Sequence, residues 1–598
     1  MKHFTIKVFD GETLFLIPTH TDNTLIEAMR GFPEFKWRRA GDDAGWAIRA
    51  TKENLDYLYR TWDPDEYIVT SDAKLLIQYE QLTTKVDELK ARRRWEYIFN
   101  DTATKFDYAS PRKPFMHQRV AVEAAYGAEY FGHLMEMGTG KTKCICDEAH
   151  LYMQHIKHGE VFRCVIVAPK ALRNNWKREI HMHIPDVHPI HVAILDGELK
   201  SLDVIMTALN SGKRGLFFIV SYDSVGTMLQ QLKMLRPTMV VYDESHYVKN
   251  SESKRFKHCR ELAEVCSMKR ILTGTPVSNN ILDVWSQFEL LRPGCLGYAT
   301  YAGFKRAFCK IESRGDNDRF DKIVGYQHID KLKESMARCS FIIRKDQCLD
   351  LPEQIYTTRY LDMPQEVREF YDKFATEFYA TIDGKEVSTE HIIVQMLKLS
   401  QICCGHVGAS TLEDGEVVNT EIIDIPNGDT KILQMVDDAV ELVNSGRKLL
   451  IWSRFRRDNQ KIHKLLNDRG VWNGVFDGGT SERERQELVD AFNKSDDFKV
   501  LTCNAGSGGV GLTLLGTETS PCCDAFFYSN DFSYGKRLQA EARNHRIGQK
   551  HKVTYTDYCY AGSIEEFIAS KLQQKKDISE AVKNVGEIKD FLLNGRTA

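Results

Sequence analysis

The sequence lacks the features of several protein classes. No apolar run approaches the roughly 18 residues that cross a bilayer, so we expect no association with a membrane. Residues 1–15 alternate polar and apolar side chains and contain no apolar signal core, so secretion is not indicated. We therefore expect an intracellular protein, which would be cytoplasmic if a bacterium or phage encodes it and nuclear in a eukaryote.

Paired cysteines of the kind that bind zinc are also absent. The 15 cysteines are scattered, and none of them forms a CxxC pair. Cys403, Cys404 and His406 could begin a metal site, but no second pair follows them. We expect free and mostly buried thiols.

An excess of charge of one sign is absent as well. Lys and Arg number 81 and Asp and Glu number 84, which leaves a net charge of −3 over 598 residues. A protein that binds nucleic acid over its whole surface would be basic. A local basic track remains compatible with this balance, because an acidic segment such as residues 412–424 cancels it in the sum.

Two regions of the sequence alternate short apolar runs with helical patterns. Fully apolar strands between helices predict parallel sheets that are covered on both faces, so the fold class is α/β with two parallel-sheet lobes. Residues 285–430 lack this rhythm, and we expect them to be mostly helical, with a loop or hairpin over residues 412–424. The apolar runs lie at residues 164–167, 217–220, 239–242, 270–272, 448–452, 499–502, 525–528 and 553–555.

The N-terminal part has a different pattern. Residues 4–8 alternate as in a strand, and residues 52–62 have a helical pattern that ends before Asp63 and Pro64. We predict a small α+β accessory domain over residues 1–70. A long connecting helix over 71–105, a first lobe over 106–290, helical insertions and a linker over 291–430, and a second lobe over 431–598 complete the predicted organisation.

A glycine-rich segment is the first candidate site. Residues 138–142 read Gly-Thr-Gly-Lys-Thr and precede a predicted helix, so they offer backbone N–H groups and a helix N-terminus to phosphates. Lys141 would contact the β- and γ-phosphates of a bound nucleotide, and Thr142 would bind Mg²⁺. The complete phosphate-loop pattern has glycine at the position of Met135. Upstream, Gln118 stands where an amide could read an adenine edge, although taken alone it fits a structural role equally well.

Paired carboxylates follow the apolar run at 239–242. At the end of a buried strand, Asp243 could reach a metal ion, and Glu244 could polarise the water that attacks the γ-phosphate. The same pair on a surface turn would carry no such meaning, so its place after a strand and a phosphate loop favours the catalytic interpretation. Residues 272–276, Leu-Thr-Gly-Thr-Pro, form either a plain turn or a sensor of the γ-phosphate.

The second lobe contributes two arginines. Arg543 and Arg546 stand three residues apart, and we expect them on one face of a helix. Because arginine matches phosphate geometry and stays charged, the pair could act as arginine fingers that complete the site on lobe closure. The glycine-rich segment 505–512 could approach either nucleotide or nucleic-acid phosphate.

In this order, the motifs resemble those of the Swi/Snf family of superfamily-two helicase-like ATPases. Further matching segments lie at residues 114–118, 167–176, 221–223, 450–455 and 539–549, so the resemblance covers most of the chain. It implies two RecA-like lobes, ATP and Mg²⁺ as cofactors, and translocation along double-stranded or branched DNA by a motor that we expect to be monomeric. Two departures, Thr139 where the family often has Leu and Ala542 in place of Gly or Asp, remove no reacting group.

The resemblance also implies roles for individual residues. The catalytic residues would be Lys141, Asp243, Glu244, Gln539, Arg543 and Arg546. The nucleotide would be bound by Gln118, Gly138, Thr139, Gly140, Lys141, Thr142 and Gly511, with Thr142 and Asp243 serving Mg²⁺. DNA phosphates would contact Lys170, Asn175, Lys177, Ser221, Tyr222, Arg454, Ser507 and Thr513.

The compact layout is similar to the annealing-helicase branch of the family or to its stand-alone bacterial and phage members. Residues 1–62 resemble the HARP-type DNA-binding module of that branch. No bromodomain-like, chromodomain-like or SANT-like segment is recognisable, so nucleosome remodelling is not expected.

Three other functions stay open. A non-catalytic DNA-binding scaffold on this fold would not need the complete catalytic set. The motor part of a restriction or nuclease system would use Pro185, Asp186, Glu198 and Lys200, which fit a degenerate PD…ExK pattern but lie between two motifs of the first lobe. A strand-separating DNA or RNA helicase would use the same ATP site.

Overall fold

The computed structural model describes residues 3–10, 13–20, 23–30, 32, 35–40, 43–62, 66–74, 77, 106, 108, 110–277, 280–298, 300–312, 322–382, 389–413, 416–504 and 512–574. The chain divides into two compact units, one of residues 1–136 and 140–344 and the other of residues 137–139 and 345–598. Within the described ranges, every helix is too short or too polar to cross a membrane. The connecting helix predicted over 71–105 lies almost wholly outside the described residues.

The first unit begins with a small α+β domain. Its described strands are β1 Phe4–Asp10, β2 Thr13–Pro18, β3 Lys36–Ala40, β4 Asp43–Arg49 and β5 Tyr67–Val69, and its helices are α1 Asn23–Arg30 and α2 Lys52–Thr61. The sheet order is β3-β4-β2-β1-β5. Phe4 and Ile6 alternate along β1 and enter one core with Trp46 and Leu58, which confirms the strand predicted from the period of two. Thr51 begins α2 by accepting the Asn54 N–H at 3.3 Å.

This domain contacts the first lobe at a tight turn. Arg49 donates through Nη1 to the carbonyl of Pro293, and Thr51 Oγ1 donates to the carbonyl of Gly297 at 3.4 Å. Gly294 has φ +74°, and a Cβ there would lie 2.8 Å from Arg49 Nη1. The absence of a side chain at Gly294 therefore leaves room for the arginine.

The first lobe is built around a parallel sheet. Its strands, with an intervening hairpin, are β6 Tyr130–Met135, β7 Phe162–Ala168, β8 Ile190–Ile194, β9 Gly215–Ser221, β10 Met239–Asp243, β11 Met268–Leu272, β12 Cys309–Glu312, β13 Lys322–Tyr326 and β14 Ser340–Ile343. The described strands of the sheet run in the order β14-β6-β11-β10-β7-β9-β8, all parallel. Its helices are α3 Met116–Ala125, α4 Lys141–His155, α5 Arg173–His183, α6 Glu198–Leu209, α7 Leu229–Met234, α8 Lys254–Glu264, α9 Asp283–Glu289, α10 Tyr301–Phe308 and α11 Ile329–Arg338.

The second unit carries another parallel sheet. Its strands, with a second hairpin, are β15 Gln354–Leu361, β16 His406–Glu413, β17 Glu416–Asp424, β18 Lys448–Ser453, β19 Asn473–Phe476, β20 Val500–Asn504, β21 Cys522–Phe527 and β22 Val553–Tyr560. The sheet order over the described strands is β15-β22-β21-β18-β20-β19, all parallel. Its helices are α12 Lys345–Cys348, α13 Gln365–Ile382, α14 Thr389–Cys403, α15 Thr430–Asn444, α16 Arg456–Asp468, α17 Glu482–Lys494, α18 Tyr534–Glu541 and α19 Ile564–Gln573. Two α/β lobes with parallel sheets are thus confirmed.

The region expected to be mostly helical contains more strand than its sequence suggested. β14 forms an edge of the first sheet and β15 an edge of the second, so both sheets draw strands from residues 285–430. The hairpin expected over residues 412–424 is present as β16 and β17, which pair antiparallel. β15 mixes polar with apolar residues and is largely exposed, as an edge strand can be. β14 is mostly buried but only four residues long, so its apolar run is short.

Candidate active site

The phosphate-loop segment lies between β6 and α4. Gly138 and Gly140 have φ of +84° and +92°, a left-handed conformation that favours glycine. α4 begins at Lys141 with Gly140 at its N-cap, so the N–H groups of the first turn face the loop. Lys141 Nζ donates to the carbonyls of Met135 at 2.9 Å and Glu136 at 3.4 Å. Thr139 is buried, and Thr142, the second residue of α4, is half-buried.

Gln118 lies against this loop. Its Oε1 accepts the Phe115 N–H at 3.0 Å at the start of α3, and its Nε2 occupies the place where a Cβ on Gly140 would stand. The sequence suggested that Gln118 reads an adenine edge. In this structure the side chain is buried, closes the first turn of α3 and packs on the glycine that begins α4.

The paired carboxylates stand at the carboxyl end of β10, the same edge of the parallel sheet from which the phosphate loop leaves β6. Asp243 Oδ2 accepts the indole N–H of Trp176 at 2.7 Å, and Oδ1 accepts the Glu244 N–H at 3.0 Å. The Asp243 carbonyl accepts the hydroxyl of Tyr222 at 2.8 Å. Glu244 has φ +50°, a conformation that non-glycine residues seldom adopt and that is found mostly where a function requires it.

The electrostatics of the pair follow from burial. Burial, together with the charge of Glu244, raises the pKa of Asp243 to about 7, although Trp176 and Lys141 act in the opposite direction. Burial lowers the pKa of His246 to about 4, so its ring is neutral at pH 7. The 3.4 Å approach of His246 Nδ1 to Glu244 Oε2 is therefore not an ion pair at that pH.

These residues fit a magnesium–nucleotide complex. Two adjacent buried carboxylates repel each other, and a divalent cation beside Asp243 would offset that repulsion. The left-handed glycines and the start of α4 present N–H groups to phosphate, and Lys141 and Thr142 follow directly. The nucleotide and the ion would supply the γ-phosphoryl group and its charge neutralisation.

The Thr-Gly-Thr-Pro segment is joined to the carboxylate segment by Gln287, a residue that belongs to none of the sequence motifs. Gln287 on α9 accepts the Ser245 hydroxyl through Oε1 at 2.7 Å and donates through Nε2 to the carbonyl of Pro276 at 2.7 Å. Thr273 Oγ1 accepts the Thr275 N–H at 3.1 Å. The helix also carries Asp283, Ser286 and Glu289, so nothing in its sequence distinguishes Gln287 from its polar neighbours.

The residues of the first lobe that the family pattern assigns to DNA differ in their exposure to solvent. Lys170 and Lys177 are exposed, and Asn175 is half-buried, with Oδ1 accepting from Arg178 at 2.7 Å. Ser221 and Tyr222 are buried instead. A direct phosphate contact by the side chain of Tyr222 does not suit this position, because its hydroxyl is already bonded to the Asp243 carbonyl.

The two arginines of the second unit do not share a helical face, and that expectation was wrong. α18 ends at Glu541, and Arg543 and Arg546 lie in the turns that follow it. Arg543 donates to the carbonyls of Gln539 at 2.6 Å and Leu512 at 3.1 Å, and Arg546 donates to the Leu512 carbonyl at 2.6 Å. The pair therefore converges on one carbonyl group through turns rather than through helical spacing.

The other predicted residues of the second unit are partly accessible. Arg454 stacks its guanidinium on the ring of Phe532 at 4.0 Å, and burial lowers its pKa. Thr513 and Gln539 are half-buried, and the Thr513 carbonyl accepts from Asn493 at 2.8 Å. Ser507 and Gly511 lie outside the described residues.

The fold and the site together define a helicase-like ATPase, with two parallel-sheet lobes, a phosphate loop that opens a helix, and paired carboxylates at the same sheet edge. Residues 131–407 match the SNF2-related domain, and residues 431–548 match the helicase conserved C-terminal domain. The chain belongs to the Swi/Snf family of helicase-like ATPases.

Several known proteins are similar to this chain. The uncharacterized ATP-dependent helicase MG018 of Mycoplasma genitalium is 25% identical over 91% of this chain and 50% of its own length. The ISWI chromatin-remodeling complex ATPase ISW1 of Saccharomyces cerevisiae is 27% identical over 77% of this chain and 40% of its own length. The DNA repair and recombination protein RAD54B of Gallus gallus is 25% identical over 77% of this chain and 53% of its own length. The chain thus spans about half of these relatives or less.

Among solved structures, the Sulfolobus solfataricus SWI2/SNF2 ATPase core in complex with dsDNA is similar. It is 21% identical, with 82% of this chain and 99% of that chain covered, at a TM-score of 0.37.

Proposed function

We propose that the protein is a DNA-stimulated ATPase that moves along double-stranded or branched DNA. The observation that carries this proposal is the placement of Asp243. Its carboxylate is buried beside Glu244, lies close enough to Lys141 for that charge to affect its pKa, and accepts the indole N–H of Trp176. Its backbone carbonyl accepts the hydroxyl of Tyr222, and both donors come from segments that match DNA-facing motifs of the family. Two relatives are named as a chromatin-remodeling complex ATPase and a DNA repair and recombination protein, and both names support DNA as the substrate.

The proposed mechanism assigns one task to each residue. Lys141 and the N–H groups of the first turn of α4 bind the β- and γ-phosphates, and Thr142 and Asp243 hold Mg²⁺. Glu244 orients and polarises the attacking water. Arg543 and Arg546 reach the γ-phosphate when the two lobes close, and loss of that phosphate lets the lobes reopen, which advances the protein along the DNA backbone.

The first test is steady-state ATP turnover with and without duplex DNA. We expect DNA to raise turnover, and an absence of stimulation in the pure protein would contradict the proposal. Glu244→Gln should still bind nucleotide while turnover falls by about 10²–10⁴-fold, because the water loses its general base. Glu264→Gln, an exposed carboxylate on α8, is the matched control and should behave as wild type. Full turnover in Glu244→Gln would remove Glu244 from this role.

The second test separates translocation from the alternatives. Stimulation by linear, forked and single-stranded DNA would be compared at one salt concentration, together with strand displacement on forked DNA and on RNA duplexes. We expect stimulation by duplex or branched DNA without strand displacement. Displacement would favour a true helicase, RNA stimulation an RNA-directed enzyme, and metal-dependent cleavage of plasmid DNA a nuclease system.

We further propose that the N-terminal domain contacts the same DNA through β3. This strand lies at the edge of its sheet, and Lys36, Trp37, Arg38 and Arg39 are all exposed, with Trp37 50% exposed. Cations beside an exposed aromatic ring suit phosphates and unstacked bases. Arg38→Glu should weaken DNA binding and reduce its salt dependence by about one unit of slope, whereas Lys74→Glu, an exposed lysine away from β3, should not. Equal DNA affinity of Arg38→Glu and Lys74→Glu would contradict a contact between β3 and DNA.

A further inference from the structure

Asp243 is held by two side chains from segments that the family pattern places near DNA. Trp176 on α5 donates its indole N–H to Oδ2 at 2.7 Å, and Tyr222, directly after β9, donates its hydroxyl to the carbonyl at 2.8 Å. Oδ1 accepts the Glu244 N–H at 3.0 Å. Each oxygen of Asp243 therefore has a fixed protein donor, and two of the three donors come from elsewhere in the lobe.

The helix that carries Trp176 presents different residues to the surface and to the core. Trp176 is 1% exposed, whereas its neighbour Lys177 is exposed and Asn175 is half-buried. Successive helical residues point about 100° apart, so one rigid helix can hold an indole against Asp243 and a cation toward solvent. A ligand that binds Asn175 and Lys177 acts on the same backbone that fixes the indole.

We propose that Trp176 is a positioning residue that couples DNA on the surface of α5 to the orientation of the Asp243 carboxylate. DNA bound on the surface of α5 restricts the movement of this helix, and the helix in turn fixes the position of the indole N–H. The indole N–H then fixes Oδ2 of the Asp243 carboxylate, which the reaction needs. This inference rests on the proposed function and names the route by which DNA raises turnover.

The first experiment compares Trp176→Phe with a matched control in the full chain. Phenylalanine keeps an aromatic ring and removes the N–H donor together with part of the indole volume, a loss of volume that the control shares. Trp285→Phe is the control, because Trp285 is also buried in this unit and donates its indole N–H at 2.9 Å to the Tyr298 carbonyl. Turnover at saturating ATP would be measured with and without duplex DNA, and thermal melting would report folding.

We expect Trp176→Phe to lower the ratio of DNA-stimulated to basal turnover by about tenfold or more, because tenfold lies near the lower end of what one hydrogen bond to a charged group contributes. Trp285→Phe should keep the wild-type ratio. An unchanged ratio in Trp176→Phe, or an equal loss with and without DNA, overturns the coupling. Wild-type protein without DNA stimulation would instead overturn the proposed function, so the two failures are distinguishable.

A second measurement needs neither ATP nor turnover. The 8 tryptophans would be labelled as 5-fluorotryptophan, and the Trp176 and Trp285 resonances assigned by their loss in the two Phe variants. Duplex DNA added without nucleotide should shift the Trp176 resonance and leave that of Trp285 unchanged. An unmoved Trp176 resonance at saturating DNA overturns the proposal. Should Trp176→Phe fail to fold, Trp176→Tyr, which also lacks the indole N–H, takes its place in both measurements, and a wild-type ratio in that variant overturns the coupling.

Discussion

Gly140→Ala offers a quantitative test of how the phosphate loop is built. Gly140 has φ +92°, and a Cβ there would overlap Gln118 Nε2. The left-handed conformation costs an alanine about 1–2 kcal/mol. Moving the amide also breaks the hydrogen bond from the Phe115 N–H to Gln118 Oε1, which contributes about 1 kcal/mol more.

The two terms together give about 2–3 kcal/mol, which corresponds to roughly 30–150-fold in an equilibrium constant. If the whole cost falls on the loop conformation that binds phosphate, nucleotide affinity should weaken by that factor. A fluorescent ATP analogue titrated into the protein measures it directly. Gly127→Ala is the matched control, because Gly127 has φ +80° with nothing within 4 Å of its Cβ position. It should lower stability by a similar backbone cost and leave nucleotide affinity unchanged.

A double-mutant cycle isolates the contact with Gln118. In a Gln118→Ala background the overlap is gone, so Gly140→Ala should cost only the backbone term of about 1–2 kcal/mol. The same loss of affinity in both backgrounds would refute the contact. Wild-type affinity in Gly140→Ala would refute the reasoning about the loop as a whole.

Two further predictions concern buried charges. Burial raises the pKa of Glu289 to about 7, against smaller opposing effects of the Gly294 N–H, Arg260 and Arg49. Because this pKa is higher in the folded than in the unfolded protein, protonation of Glu289 favours the folded state. That contribution to the free energy of unfolding is present at pH 4 and is lost as the pH rises through 7. Glu289→Gln should therefore raise the melting temperature at pH 8 and change it little at pH 4, and equal shifts at both pH values would contradict the assignment. Arg270 and Glu148 are both fully buried, and Nη2 of the arginine lies 2.6 Å from Oε1 of the glutamate. Arg270→Met should destabilise the first unit by about 3–5 kcal/mol, because it leaves the buried carboxylate of Glu148 without its cation. Lys333→Met, which breaks a 3.4 Å pair with the exposed Asp330, should cost under about 1 kcal/mol in the same denaturant titration.

The parts of the fold that the sequence predicted are those that local composition determines. Central strands such as β7, β9 and β10 are buried on both faces, so their apolar runs are unbroken and easy to recognise. β6 was missed because Gly132 and His133 interrupt its run. A Cβ at Gly132 would lie 3.0 Å from the Ser340 side chain on β14, so tight packing against a strand about 200 residues away in the sequence favours glycine there.

The residues of the candidate site also divide into those that local sequence predicts and those that only the fold brings together. Lys141, Asp243 and Glu244 were recognisable because their chemistry depends on a loop or a strand end a few residues long. The conformation around Arg543 depends on the Leu512 carbonyl, 31 residues away, and a helical period could not anticipate that contact. Gln287 and the bond from Trp176 to Asp243 also join distant segments, so only the folded chain brings them together.

The attachment of Arg49 and Thr51 to the turn at Pro293 and Gly297 has a mechanical consequence. That turn follows α9, whose Gln287 is bonded to the segments carrying Ser245 and Pro276. A force applied to β3 by a bound substrate would be transmitted through β4 and Arg49 to the lobe near its catalytic edge. This route does not include the residues that link the domain to the lobe in sequence. If β3 binds DNA as proposed, tension on that DNA would reach the segments beside Asp243 and Glu244 through Arg49 and Gln287.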